Sequence, residues 1–209
     1  MNTDYLIDQL SADAAPVRPL SLPLVRLALV ATALGTILLT LAFWGPRPQL
    51  LTGTADAVTL LLAALLGLLA IAAGLAATRL ARPAVGGVPG GGLWLFGAIL
   101  LFPAIALVQQ LLGHDEGAQS FLGIYCLASG LGMSLFTAAF LTLHLRRGAP
   151  VLPERAGLLA GIASGAVGAL AITLECGGST FAHLALWHVA IVAAWALVGR
   201  TLLARLIRW

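Results

Sequence analysis

Long runs of Ala, Leu, Gly, Val and Ile alternate with short polar breaks along most of this chain. Six apolar stretches stand out, at residues 24–44, 55–78, 92–112, 120–144, 156–174 and 181–203. Each is close to the ~20 residues that an α-helix needs to cross a hydrocarbon core about 30 Å thick. The breaks carry residues that end helices. Trp44 is followed by Gly45-Pro46-Arg47-Pro48, residues 81–92 are rich in Gly and Pro, and residues 148–155 hold two more prolines. Pro103 falls inside the third stretch and predicts a kink there. The pattern predicts an all-α polytopic membrane protein, a six-transmembrane-helix bundle occupying residues 23–209.

Residues 1–22 stand apart from this pattern. Thr3 suits a helix N-cap and Asp4 the positive end of a helix. Leu6, Ile7 and Leu10 form an apolar patch at i, i+1 and i+4, with Asp8 on another face. Pro16, Pro19 and Pro23 then interrupt the helix before the first span. This is a short N-terminal helix, a cytoplasmic head if the orientation argued below holds. A disordered tail or an interfacial anchor would also fit the segment. An anchor on anionic lipid is normally basic, however, and Asp4, Asp8 and Asp13 favour a basic protein partner.

Composition sharpens the picture. Of 209 residues 60% are hydrophobic and 9% charged, with a mean hydropathy of +1.02. Six spans use most of the chain and leave no room for a soluble catalytic domain. All eleven basic residues are Arg. If the spans alternate, Arg18, Arg26, Arg79, Arg82, Arg146, Arg147, Arg155, Arg200, Arg205 and Arg208 share one side, and Arg47 alone lies opposite. That asymmetry predicts cytoplasmic termini at both ends. It also accounts for the net charge of +3 without direct nucleic-acid binding. The acidic start and full-length first apolar run predict no cleavable signal peptide.

Candidate chemistry concentrates in residues 172–188, where Glu175, Cys176, His183 and His188 interrupt two apolar runs. The other thiol, Cys126, lies near the start of the fourth span. Alternating spans put both cysteines toward the outer face, where disulfides persist. Two options follow. One is a thiol–disulfide switch. The other is soft-metal binding by Cys126 and Cys176, with Glu175, His183 or His114 completing the shell. Two buried structural thiols are the plain alternative. The outer triplet His114-Asp115-Glu116 fits a metal or simple solvation. His183 and Trp187 fall on one helical face at i, i+4, with His188 lower in the span, and a hydrogen-bonded bundle residue is the plain alternative for each histidine. Gly157, Gly161 and Gly165, with Gly168 behind, form a small-residue stripe suited to close helix packing inside the bundle. No hydrolase or metalloprotease motif is present, and the glycines of 81–92 lack a phosphate-loop pattern.

These residues resemble a known family. The head Thr3-Asp-Tyr-Leu-Ile-Asp-Gln-Leu-Ser-Ala-Asp13 followed by Pro16-Val-Arg-Pro19, six spans, and Arg146-Arg-Gly-Ala-Pro150 carry part of the likeness. A Gly-rich fifth span ending Leu174-Glu-Cys176, then Leu184-Ala-Leu-Trp-His188 and a closing Arg-Trp, carry the rest. The layout is similar to the NrsF type of membrane anti-sigma factor, the negative regulators of sigma F. The resemblance implies that residues 1–22 bind an extracytoplasmic-function sigma factor, and the acidic-apolar patch read above puts Asp4, Leu6, Ile7, Asp8 and Leu10 at the contact. It implies a bacterial inner-membrane sensor that releases this partner on oxidative or heavy-metal stress. The family's two periplasmic-side cysteines correspond to Cys126 and Cys176, with Glu175 and His183 beside them. It implies no resident cofactor beyond transient heavy-metal binding. The family often has His before the second cysteine and Pro after it; here Glu175 and Gly177 stand there. The rival reading is an integral membrane thiol oxidoreductase or small transporter that uses the same Cys and His residues and does not need the head.

Overall fold

A computed structural model describes residues 3–13, 21–82, 91–112, 120–178 and 180–208. Among them every regular element is helical. The chain runs α1 (Thr3–Ala12), α2 (Leu22–Trp44), the single turn α3 (Pro48–Leu51), α4 (Ala57–Leu80), α5 (Gly91–Leu111), α6 (Ser120–Arg147), α7 (Pro153–Glu175) and α8 (Phe181–Leu206). The six apolar stretches match the long helices to within three residues at each end. Five of these, α2, α4, α6, α7 and α8, are long and apolar enough to cross a membrane. The sixth, α5, has 21 residues, with Phe96–Gln109 its apolar described stretch. It runs through Pro103 without interruption. His114, Asp115 and Glu116, Arg18 with Pro16 and Pro19, and most of the Gly-rich stretch 81–92 lie outside the described residues.

The bundle is built around α7, which packs against α2, α4, α6 and α8. Its most apolar stretch is 83% buried, against 11% for the peripheral α2. Composition explains the central place. In lipid no hydrophobic force drives helices together, so close van der Waals contact must do it, and small side chains permit the closest approach. The glycine stripe is occupied by α8. A Cβ on Gly165 would stand 2.8 Å from the Val192 Cα, and one on Gly161 would stand 2.9 Å from the Gly199 Cα. Gly168 faces Ser134 and Gly130 of α6. The stripe therefore serves packing within the bundle.

Three ties show which connections share an end. Ala149 N–H donates to the Ala81 carbonyl at 3.0 Å, joining the α4–α5 and α6–α7 connections. Arg208 donates to Glu154 at 3.0 Å, adding the C-terminus to that end, although so exposed a pair contributes at most ~1 kcal/mol. At the other end, Arg47 N–H donates to the Leu174 carbonyl at 2.8 Å, joining the α2–α4 connection to the α7–α8 connection.

The first helix is present from Thr3, which is its first residue rather than the cap before it. None of its residues is buried, and Tyr5, Ile7 and Leu10 are each more than half exposed.

Candidate functional site

The α7–α8 connection and the top of α8 hold the polar residues singled out in the sequence. Cys176 caps the C-terminus of α7, its N–H donating to the Ile172 carbonyl at 2.7 Å. Cys126 reaches it from α6, fifty positions away in sequence. The two sulfurs stand 3.1 Å apart, both thiols free and both buried, with Ile172 packed against them. Cys126 lies six residues into α6, and the end of α7 brings Cys176 beside it there.

The histidines differ from the helical-wheel expectation. A regular α-helix would put His183 and Trp187 on one face and His188 about 140° away from His183. Residues Leu184–His188 instead form a π-helical segment. Its wider i→i+5 turn brings positions five apart onto one face. His183 and His188 accordingly meet edge to face, ring centroids 5.3 Å apart. Trp187 turns toward Gly123 of α6, which has no side chain to obstruct the indole.

Each histidine then has a defined place. His183 Nε2 lies 3.4 Å from Cys176 Sγ. Its backbone N–H donates to the Thr180 hydroxyl, which caps α8. His188 Nδ1 lies 2.8 Å from the Thr173 hydroxyl. One potential ligand atom from each of Cys126, Cys176, His183 and His188 lies within 4.8 Å of the other three, and all four residues are buried. Glu175, named from the sequence as a ligand beside His183, ends α7 half-buried and is not in this cluster. His188 joins it, for which the sequence offered no periodic signal.

Arg47 closes the site from the adjoining connection. Its side chain is fully buried and donates to the Gly178 carbonyl at 3.0 Å. Gly178 N–H in turn points at Cys176 Sγ, 3.4 Å away. The guanidinium also lies 3.7 Å from Asp56, the N-cap of α4. Burial pushes the Asp56 carboxyl upward, but hydrogen bonds from the Thr59 hydroxyl and N–H, with the Arg47 charge, hold it below its ordinary value of 3.8. A lowered carboxyl adds stability that is present above the unfolded value and lost as pH falls through the folded one. We therefore expect acidification below about pH 3.8 to bring the melting temperature of the wild type toward that of Asp56→Asn. A constant difference between the two proteins across that range would show that the carboxylate charge adds nothing.

Comparison with known proteins gives the family of the chain. The family model described as negative regulator of sigma F matches residues 10–209. The anti-sigma-F factor NrsF of Caulobacter vibrioides (strain NA1000 / CB15N) is 36% identical over 225 residues, an alignment covering 100% of both chains. No solved structure matches. By both measures the chain belongs to the NrsF family of negative regulators of sigma F.

Proposed function

We propose that this protein is an inner-membrane anti-sigma factor with six spans and both termini in the cytoplasm. It holds an extracytoplasmic-function sigma factor through residues 1–22 and releases it when the outer thiol pair reacts. The membership of its family supports the regulatory role, and the arginine asymmetry supports the orientation. With α5 counted as a span, an even number of crossings returns both termini to the arginine-rich end. The exposed face of α1 supports the docking mode. Leu6, Ile7 and Leu10 present an apolar patch flanked by Asp4 and Asp8, suited to an apolar and basic protein surface.

The observation that carries the sensing half is the 3.1 Å separation of Cys126 and Cys176. A two-electron oxidant of the peroxide class would take two electrons and two protons from the thiols and leave one S–S bond. The sulfurs would then close to about 2.05 Å, drawing α6 toward the end of α7. A soft heavy-metal ion is the other input, since thiolates select such ions. Either would bias two packings of the bundle, only one of which presents the head. Reversing a 99:1 preference takes about 5.5 kcal/mol. The rival thiol oxidoreductase needs a sulfur that meets external substrates, and both sulfurs here are buried.

The head is tested by the double substitution Leu6→Asp, Leu10→Asp. We expect this variant to remain in the membrane fraction and to lose co-purification of the sigma factor, with expression of its target genes raised without stress. Undiminished co-purification would sink the docking mode.

A further inference from the structure

We propose that Cys126, Cys176, His183 and His188 form a closed four-coordinate centre for a soft divalent cation, with Thr173 as the residue that orients His188. The proposal rests on reading the thiol pair as the sensing element and adds to it the complete ligand set. The first support is geometric. A tetrahedral ion with metal–sulfur bonds of about 2.3 Å and metal–nitrogen bonds of about 2.0–2.1 Å has ligand atoms roughly 3.3–3.8 Å apart. The observed separations are 3.1 Å between the sulfurs and 3.4 Å from Cys176 Sγ to His183 Nε2, and none among the four exceeds 4.8 Å. Shifts of about an ångström in side chains would close the shell.

The second support is a proton count. The Thr173 hydroxyl has one hydrogen and stands 2.7 Å from the Ala169 carbonyl, which can only accept. That hydrogen goes to Ala169. The same oxygen must then accept from His188 Nδ1–H at 2.8 Å. A neutral His188 held in this way has its lone pair on Nε2. That nitrogen is fully enclosed and has no hydrogen-bond partner. A buried acceptor without a partner is costly, and a bound cation would satisfy it. A hydrogen bond that fixes the far nitrogen of a ligating histidine is the usual device for presenting the near one.

The third support is charge. Two thiols that lose their protons to solvent and two neutral imidazoles bring two negative charges to a dication, so the loaded centre is neutral. A neutral centre suits a site cut off from water, where an uncompensated charge is costly. Two sulfurs and two nitrogens favour Zn²⁺ or Cd²⁺ over hard cations such as Mg²⁺ or Ca²⁺. Four protein ligands leave no open position, so the centre would change packing rather than catalyse a reaction.

The test uses the full chain, purified in detergent and reduced, titrated with Co²⁺ and Cd²⁺. Co²⁺ should bind one to one with the intense visible bands of tetrahedral sulfur–nitrogen coordination, and excess Cd²⁺ should displace it. His188→Ala and Thr173→Val should each weaken binding, Thr173→Val by roughly 10–100-fold, the range for loss of an orienting partner. Thr173→Ser keeps the hydroxyl and should restore wild-type affinity, which separates orientation from packing. Octahedral Co²⁺ bands, or wild-type affinity in both His188→Ala and Thr173→Val, would overturn the four-ligand centre. The titration needs no sigma factor. Its failure would leave the head and an oxidative thiol switch intact, whereas loss of sigma-factor binding would leave the titration unchanged.

Discussion

Gly161→Leu should destabilise the bundle by at least ~3 kcal/mol, the upper part of the range for overpacking a well-filled core. At roughly 2–4 °C per kcal/mol for a chain of this size, the melting temperature in detergent should fall by about 6–12 °C. The cause is backbone proximity. A Cβ at this position would already press on the Trp195 carbonyl and stand 2.9 Å from the Gly199 Cα. Backbone cannot turn aside as a flexible side chain can, so α7 and α8 would have to separate. Their separation would also pull the histidines of α8 away from Cys176. Gly67→Ala is the control, because its Cβ would meet only Leu170 Cδ2 at an ordinary 3.9 Å. That substitution should be neutral or slightly stabilising, since Ala is the better helix former. Equal melting temperatures for Gly161→Leu and the wild type would contradict the close α7–α8 approach.

Arg47→Met should have the second large effect, on stability and on the reactivity of Cys176. The substitution keeps an unbranched side chain of similar length and removes the charge. The Gly178 carbonyl would lose its 3.0 Å donor and Asp56 its cation. Loss of a hydrogen bond to a charged group costs about 1.5–3 kcal/mol. Asp56 is partly exposed and can recover water, which limits the further loss. The functional consequence runs through the loop. Arg47 holds Gly178, and Gly178 N–H faces Cys176 Sγ at 3.4 Å. Without the tie, labelling of Cys176 by a membrane-permeant maleimide should accelerate in a Cys126→Ser background. Asp56→Asn, which leaves the Gly178 bond in place, should label at nearly the parental rate. Equal rates for Arg47→Met and its parent would mean that Arg47 anchors α4 without governing the thiol loop.

Most of the helical layout was legible in the sequence, but much of the candidate site was not. Cys126 and Cys176 could be named as a pair, because they are the two thiols and alternating spans put them toward one face. Glu175 and His183 were named with them on sequence proximity and helical period. Sequence proximity does not bring Glu175 into the ligand cluster, because a residue next to Cys176 on the chain need not share its direction. His188 was noticed in the polar stretch but left out of the ligand shell, because a 3.6-residue period turns it away from His183 where a π segment in fact runs from Leu184 to His188. Thr173 escaped because a lone threonine near the end of an apolar helix has many uses. Arg47 was noticed only as the exception to the charge asymmetry. Its burial against Gly178 depends on a connection more than a hundred residues later.

By itself the sequence determined the helical segments, the acidic-apolar head and the crowding of arginine toward alternate connections. Hydropathy, charge and helix-breaking residues are local, and a bilayer leaves a long apolar segment few choices but a helix that satisfies its own backbone. The tertiary structure alone decided that α7 is central, that its glycines receive α8, and that two sulfurs and two imidazoles converge in one enclosed place. Those outcomes depend on which backbones can approach each other and on a change of helical period at the top of α8. Neither is a property of a single segment, so each becomes visible only when the helices are packed.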